Sequence, residues 1–170
     1  MNGQHLQRIP LDALVSRVAT AIEAAGFASA AELNARPEWI TKLVDLLRIR
    51  ARTIDDIVRQ SKPYVGTTVE YDEQAVAKQW KDAALSRTLL AEARASLSTL
   101  DPWDAVAMEP ALRTLAEANG VGAGKLFQPL RVALTGVAES PGIFDVLLLL
   151  GRERSLARID AALAHPRLAP

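Results

Sequence analysis

The sequence predicts an all-α protein made of two helical subdomains, the first over residues 1–71 and the second over residues 72–170. Three observations lead to this prediction. Apolar residues recur at helical spacing along most of the chain, and no segment shows the sustained alternation of a half-buried strand. The stretch 61–71 has no helical period and contains Pro63, Gly66 and two tyrosines, which predicts an extended linker. The two subdomains would therefore join near residues 64–75.

Three helices are predicted in the first subdomain. The first follows Pro10, ends at Gly26 and carries a stripe with the spacing i, i+3, i+4, i+7 and i+11. That stripe is Leu11, Leu14, Val15, Val18 and Ile22. The second begins at Pro37 and buries Trp39, Ile40, Leu43, Val44 and Leu47. The third follows Thr53 and Asp56, which have the spacing of a capping box.

The second subdomain is predicted to begin with a helix capped by Asp72, with Val76 and Trp80 on one face. A long apolar stripe follows: Leu85, Leu89, Ala93, Leu97 and Leu100. Pro110 lies inside the next apolar pattern, so that helix either starts or kinks there. Further helices are predicted around residues 126–134, from 141 to about 150 and over 155–163.

Composition excludes several classes of protein. The chain has 170 residues, of which 49% are hydrophobic and 24% charged, so it can bury a core and is not intrinsically disordered. No apolar run approaches 18 residues, and residues 1–20 lack the pattern of a signal peptide. Cysteine is absent, which removes disulfides and thiolate metal sites. The only histidines, His5 and His165, lie near opposite ends, which argues against a zinc site or a serine–histidine triad.

The net charge is zero, but the charges are unevenly distributed. Residues 39–63 carry six basic groups against three acidic ones, and residues 121–170 carry six against four. If the fold brought these segments together, they would form one positive face. On charge alone an uneven, solvated surface is the favoured explanation, and a neutral total argues against strong non-specific binding of nucleic acid.

Two candidate chemical motifs have better structural explanations. Residues 120–125 are rich in glycine and end in Lys125, but the phosphate-binding loop needs four residues between its glycines and a Ser or Thr after the lysine. A helix end and a tight turn explain the segment better. Neighbouring carboxylates such as Asp55 and Asp56 lie at predicted helix N-termini, where their negative charge interacts favourably with the helix dipole and stabilises the helix.

Arg48, Arg50 and Arg52 occupy every second position after an apolar helix face. A helix would fan them by about 200° per step, so they cannot all form one exposed row and some are expected to lie in a turn. Arginine is suited to paired contacts with base edges and phosphates. Solvated charge at a helix C-terminus is an equally good explanation.

The second half of the chain resembles the C-terminal anticodon-binding region of bacterial-type glutamyl-tRNA synthetases, which are class I aminoacyl-tRNA synthetases. Five segments occur in that family's order and spacing: Gly124-Lys125-Leu126, Gln128-Pro129-Leu130-Arg131, Ala133-Leu134-Thr135-Gly136, Ser140-Pro141-Gly142-Ile143-Phe144 and Leu150-Gly151-Arg152-Glu153-Arg154. Residues 2–6 and 71–81 are also similar. The resemblance covers nearly the whole chain and is loosest over residues 12–60.

The resemblance implies an all-helical region of two subdomains that holds splayed anticodon bases. Arg131 matches a family arginine that contacts the anticodon, and Ser140, Pro141 and Ile143 match the turn that lines the base pockets. Arg50 matches, with a less certain register, an arginine that reads the third anticodon base; Arg48 or Arg52 takes this role if the register slips by two. Further supporting RNA contacts are expected from Arg48, Arg52, Lys125 and Arg152.

Neither class I ATP-binding signature is present, and no βαβ pattern is found. We therefore expect an anticodon-binding region alone, excised or natural, which does not activate glutamate. The resemblance implies a parent ligase that uses ATP and Mg²⁺, with no cofactor or metal in this piece. The expected partners are glutamate tRNA, through its anticodon loop, and the parent's catalytic domain. We expect a cytoplasmic monomer without membrane contact. The alternative is a helical protein-interaction module that kept the scaffold and lost tRNA binding.

Overall fold

A computed structural model describes the backbone of residues 3–170 and the side chains from His5 onward. Asn2, where one of the resembling segments begins, lies outside the described residues. The described part is all helical, without a strand, as the sequence predicts. Its helices are α1 (Gly3–Arg8), α2 (Leu11–Ala24), α3 (Ala30–Asn34), α4 (Pro37–Leu47), α5 (Ile54–Val65), α6 (Glu73–Gln79), α7 (Ala83–Ser98), α8 (Ala105–Ala118), α9 (Ala123–Thr135) and α10 (Ile143–Leu163). None of them is long and apolar enough to cross a membrane.

The chain divides into two compact units, Met1–Thr67 and Thr68–Pro170. This division falls between α5 and α6, a few residues before the expected boundary at residues 71 and 72. Each unit has its own core.

In the first unit, α2 packs against α3, α4 and α5. The apolar stripe predicted for α2 supplies Leu14, Val18 and Ile22 to the core, and α4 supplies Ile40, Leu43, Val44 and Leu47. Pro37 occupies the first turn of α4, as predicted, because its missing N–H would have no helical partner there. Thr53 and Asp56 form the predicted capping box of α5. The core of this unit is therefore built from the faces that the sequence spacing indicates, except that Trp39, which was expected to be buried, is only half-buried at the edge of the α4 face.

Two expectations for the first unit are wrong or incomplete. The stretch 61–71 is not extended throughout, because α5 continues to Val65 and contains Pro63 in its last turn. At that position the proline removes a single helical hydrogen bond, and the burial of Ser61 and Tyr64 stabilises the helix around it. The short helices α1 and α3 were not predicted. The N-terminus of α3 is fixed by a capping box between Ser29 and Glu32.

In the second unit, α10 packs against α7, α8 and α9, while α6 packs against α9. Asp72, Asp82 and Asp104 cap α6, α7 and α8 with their carboxylates. Helix α8 begins at Ala105, so it does not start at Pro110. Gly151 has φ of 78° and ψ of 168°, which separates α10 into the two helical parts that the sequence predicts. Trp80 is fully buried, and its indole N–H donates to the carbonyl of Pro129 at 3.1 Å.

Candidate nucleic-acid interface

The end of α9 is fixed by a close approach between two backbone segments. Gly136 caps α9 in the left-handed conformation, with φ of 80°, and its carbonyl accepts from the Asp72 N–H at 2.9 Å. A Cβ at Gly136 would lie 2.0 Å from the carbonyl oxygen of Glu70 and 2.9 Å from a methyl carbon of Val69. Only glycine fits here, both for its φ and for the space. This approach sets the direction in which the chain leaves α9 toward Ser140.

The structure brings Arg131 and Ser140 together within the second unit. The Nε–H of Arg131 donates to Ser140 Oγ at 2.7 Å, and one of its terminal nitrogens donates to Gln128 Oε1 at 2.9 Å. The Ser140 hydroxyl in turn donates to the carbonyl of Pro141 at 2.8 Å. Arg131 and Ser140 are both half-buried. The guanidinium is thus held in a defined orientation at the surface by side chains on α9 and on the turn that follows it.

Pro141 and Ile143 complete this turn in different ways. Pro141 is half-buried, whereas Ile143 is the first residue of α10 and is only 3% exposed. Gly142 caps α10 without a side-chain hydrogen bond. Thr135 stabilises the approach to the turn, because its hydroxyl donates to the carbonyl of Arg131 at 2.7 Å and accepts from the Val137 N–H at 3.3 Å. The buried side chain of Ile143 therefore packs beneath the surface of the turn and supports it. Its contact with an anticodon base stays a prediction.

The first unit presents the three clustered arginines on the connection between α4 and α5. Helix α4 ends at Leu47, so Arg48, Arg50 and Arg52 lie in the predicted turn rather than in one helical row. Arg48 is half-buried and forms an ion pair with Asp45 at 2.8 Å. Arg50 and Arg52 are exposed, as is Ile49, with 63% of its surface accessible. Of the three arginines, Arg50 and Arg52 are thus the more accessible to a ligand.

Asp56 holds the end of this connection, which we call the arginine loop (residues 48–52). Its carboxylate accepts from the backbone N–H of Arg52 at 3.0 Å and of Thr53 at 3.1 Å. It also accepts from the Arg59 guanidinium at 2.7 Å. These bonds, first the one from the Arg52 backbone and then the one from Arg59, lower the pKa of Asp56 below its ordinary value. The ionised carboxylate is therefore part of the loop's structure.

The remaining predicted contacts, Lys125 and Arg152, lie in different surroundings. Lys125 is exposed on the first turn of α9. Arg152 is half-buried, donates to the carbonyls of Leu97, Ser98 and Leu100, and lies over the Trp103 ring at 5.1 Å. These contacts satisfy carbonyl groups at the C-terminal end of α7 and favour a stabilising role for Arg152. Its contact with RNA stays a prediction.

Sequence reasoning missed Gln128 as part of the Arg131 network. The two residues are three apart on α9, a spacing that places their side chains on one helical face and could have indicated the contact. Sequence reasoning also missed that Lys78 and Lys81 line the same surface cleft as Lys125. Their positions relative to α9 depend on tertiary packing, so no local pattern could have shown it. Among residues 5–170, no cluster of His, Asp and Glu could hold a metal ion.

The described part of the chain is thus all-α and presents arginines at two sites: the arginine loop of the first unit, and Arg131 on α9 of the second. Residues 13–163 match the family model described as "Anticodon binding domain", and the chain belongs to that family.

The chain is similar to part of several glutamate–tRNA ligases. The chain is 37% identical to the glutamate–tRNA ligase of Myxococcus xanthus, over 97% of this chain and 33% of that protein. It is 40% identical to glutamate–tRNA ligase 1 of Sphingopyxis alaskensis, over 98% of this chain and 34% of that protein. A solved glutamate tRNA ligase from Elizabethkingia meningosepticum superimposes with a TM-score of 0.80 at 28% identity, over 96% of this chain and 31% of that one. The chain spans about a third of the length of these relatives.

Proposed function

We propose that this chain is the C-terminal tRNA-recognition part of a glutamate–tRNA ligase and that it binds the anticodon loop of glutamate tRNA. The observation that supports this proposal most directly is the Arg131–Ser140 hydrogen bond of 2.7 Å, which fixes a half-buried arginine of α9 beside the turn that follows the helix. Both residues lie within the part of the chain that matches the anticodon-binding family.

Arg131 suits the chemistry of an unstacked base. A guanidinium has five N–H donors in a planar fork, and the edges of anticodon bases carry acceptor atoms. Ser140 and Gln128 restrict the rotamers of Arg131 before RNA arrives, so less conformational entropy is lost on binding. RNA would add to these hydrogen bonds or exchange with them. Ser140 and Pro141 line the same turn and would contact the neighbouring base.

Arg50 is proposed to read the third anticodon base, with Arg48 and Arg52 as the alternatives. Glutamate anticodons end in cytosine, which offers acceptors at N3 and O2, and glutamine anticodons end in guanine, which is larger. An arginine donor alone would tolerate both bases, so the discrimination also needs a pocket that excludes guanine. Exposure favours Arg50 over Arg48, since Arg50 is exposed and Arg48 is half-buried. We propose that the parent enzyme discriminates between the two tRNAs.

The chemistry of aminoacylation is proposed to belong to the rest of the parent protein. The relatives are named glutamate–tRNA ligases, and this chain spans only about a third of their length. The parent would use ATP and Mg²⁺ in a catalytic domain that is this chain's protein partner. In this proposal the piece contributes tRNA selection, as a cytoplasmic monomer without membrane contact.

A binding comparison of three tRNAs tests the proposal. Labelled glutamate tRNA, glutamine tRNA and an unrelated tRNA are titrated with the 170-residue chain at one fixed salt concentration. We expect glutamate tRNA to bind more tightly by roughly 1–3 kcal/mol, which is about fivefold to 150-fold in Kd. Equal binding of all three tRNAs, or no binding of any, would contradict the proposal and favour the protein-interaction alternative.

A further inference from the structure

We propose that a lysine-lined cleft in the second unit binds the sugar-phosphate backbone of the same tRNA. This inference rests on the proposed function and adds to it a contact that does not read the anticodon sequence. We call the site the lysine cleft and define it by Lys78, Lys81, Lys125, Gly124 and Gln128. It has a volume of about 400 Å³.

The charge of the cleft is concentrated beyond what the composition would suggest. The chain has only five lysines, and three of them line this one cleft from separate segments: Lys78 on α6, Lys81 in the connection to α7 and Lys125 on α9. All three are exposed. The one acidic lining residue is Asp82, whose carboxylate accepts from the Leu85 N–H at 3.1 Å as the N-cap of α7. This carboxylate stabilises the N-terminus of α7, and with three ammonium groups against one carboxylate the lining stays positive and attracts an anion.

Because Gly124 has no side chain, a phosphate could come close to the backbone in this wall of the cleft. It lies in the first turn of α9, its φ is not positive, and a Cβ built on it would meet no protein atom within 4 Å. The protein's own packing therefore does not require a glycine there. The adjoining N-cap, Gly122, provides no side-chain hydrogen bond to the first turn. The positive end of the α9 dipole adds to the attraction of the lysines for phosphate.

The lysine cleft is continuous with the candidate anticodon site. Gln128 lines the cleft, and its Oε1 accepts from the Arg131 guanidinium at 2.9 Å. A strand of RNA whose base reaches Arg131 would therefore have its backbone close to the lysines. Lysine presents a compact charge that suits a phosphate, whereas arginine presents the fork that suits a base edge. This distribution of side chains favours backbone contact in the cleft and base contact at Arg131.

The salt dependence of tRNA binding tests the inference. We compare the unmodified chain with the triple variant Lys78→Gln, Lys81→Gln and Lys125→Gln, using labelled glutamate tRNA and glutamine tRNA. Each lost phosphate contact lowers the slope of log Kd against log salt by about 0.7, so the triple variant should lose roughly 2. At 0.1 M salt the affinity should fall about tenfold to a hundredfold. The preference for glutamate tRNA should stay unchanged, because the cleft reads no base.

The matched control is Arg94→Gln. It removes one positive charge from the same unit, at a half-buried residue that is paired with Asp160 and lies more than two turns along α7 from Ser86 of the cleft. We expect its slope to change little. If the triple variant and the control give the same slope per charge removed, general electrostatics explain the effect and the cleft proposal is overturned. A loss of tRNA preference in the triple variant would also overturn it, since the lysines would then act on base recognition.

A second variant keeps the test sharp if the triple variant loses helicity. Gly124→Asp places a negative charge in the cleft where no protein atom is in contact, at the first turn of α9, where acidic residues stabilise helices. We expect unchanged or raised thermal stability and at least about fivefold weaker tRNA binding. Unchanged binding would overturn the cleft proposal while leaving the anticodon proposal standing. If the unmodified chain shows no preference among tRNAs, the proposed function fails first and this inference fails with it.

Discussion

The two arginine sites of this protein differ in how their side chains are held. In the second unit, Arg131 is fixed by the side chains of Ser140 and Gln128 and is half-buried. In the first unit, Arg50 and Arg52 are exposed, and the bonds from Asp56 hold the backbone of the arginine loop. One site therefore places a half-buried arginine between two side chains on α9 and the following turn, and the other places exposed arginines on a loop whose backbone is held by a carboxylate.

This difference has a consequence for RNA binding. A side chain that is already oriented loses little entropy when it binds, so Arg131 should contribute strongly to affinity. An exposed arginine can donate to either base, so Arg50 would discriminate only where a pocket fits the correct base. We therefore expect the second unit to dominate affinity and the first unit to influence the choice between tRNAs.

The largest expected effect is on folding stability, and it compares a glycine with positive φ in each unit. Gly136→Ala should destabilise the second unit by roughly 3–5 kcal/mol, because the left-handed conformation and the clash with the Glu70 carbonyl act together. Gly26→Ala, at φ of 77° in open space, should destabilise the first unit by only about 1–2 kcal/mol. Thermal or urea unfolding followed by circular dichroism measures both. Equal effects of the two variants would mean that the backbone contact at Gly136 contributes nothing to stability.

The next expected effect is on affinity. Arg131→Ala should weaken the binding of glutamate tRNA by roughly 1–3 kcal/mol, because a charged hydrogen bond to a base or phosphate is lost. Arg131→Lys should recover only part of the loss, since it keeps the charge but not the planar fork. The control is Arg94→Ala, which removes another half-buried arginine, paired with Asp160, from the same unit. Unchanged binding by Arg131→Ala, with unchanged helicity, would remove Arg131 from the site.

A smaller effect is expected on selectivity. Arg50→Gln should reduce the preference for glutamate tRNA over glutamine tRNA by about 1 kcal/mol, with a smaller change in total affinity. The matched control is Arg17→Gln, which removes an exposed arginine on α2 of the same unit. The ratio of the two dissociation constants is the measurement. A change of this ratio in Arg48→Gln or Arg52→Gln alone would shift the register of the assignment, and no change in any of the three would place discrimination at the Ser140–Ile143 turn.

Local sequence patterns correctly predict those helices whose ends are fixed by capping residues nearby in the chain or whose apolar faces follow the helical period. The capping box of Thr53 and Asp56, the N-cap at Asp72 and the apolar faces of α2 and α4 are all confirmed. The extension of α5 past Ser61 was missed because Pro63 predicts a helix end, whereas burial of Tyr64 stabilises another turn. Tertiary packing decided this case against local propensity.

The same distinction applies to the candidate site. The residues Arg131 and Ser140 could be singled out from a family resemblance, but their mutual hydrogen bond depends on the turn after α9. That turn depends on Gly136 lying against Glu70, a contact between residues 66 positions apart. Likewise, the convergence of Lys78, Lys81 and Lys125 follows from the packing of α6 on α9. No periodicity within a single helix contains this information.

The smallest expected effect concerns acid and distinguishes the arginine loop from the Arg131 network. The pKa of Asp56 is lowered in the folded state, so its contribution to stability is present above the ordinary carboxyl pKa of about 3.9 and is lost as the pH falls through the folded value. As the pH falls through this lowered value, the N–H groups of Arg52 and Thr53 should therefore lose the ionised carboxylate as their acceptor, and their hydrogen bonds should weaken. The hydrogen bonds from Arg131 to Ser140 and Gln128 join groups that do not titrate in this range. We expect the backbone amide NMR signals of Arg52 and Thr53 to shift with pH below about 4, while those of Arg131 and Ser140 do not. Two variants serve as controls for the acid experiment.

The variant Asp56→Asn should abolish the shift of the Arg52 and Thr53 signals, whereas Asp55→Asn, at the exposed neighbouring residue, should preserve it. Parallel shifts of the Arg52 and Thr53 signals and of the Arg131 and Ser140 signals would show that acid acts on the whole protein and not on the carboxylate that holds the arginine loop.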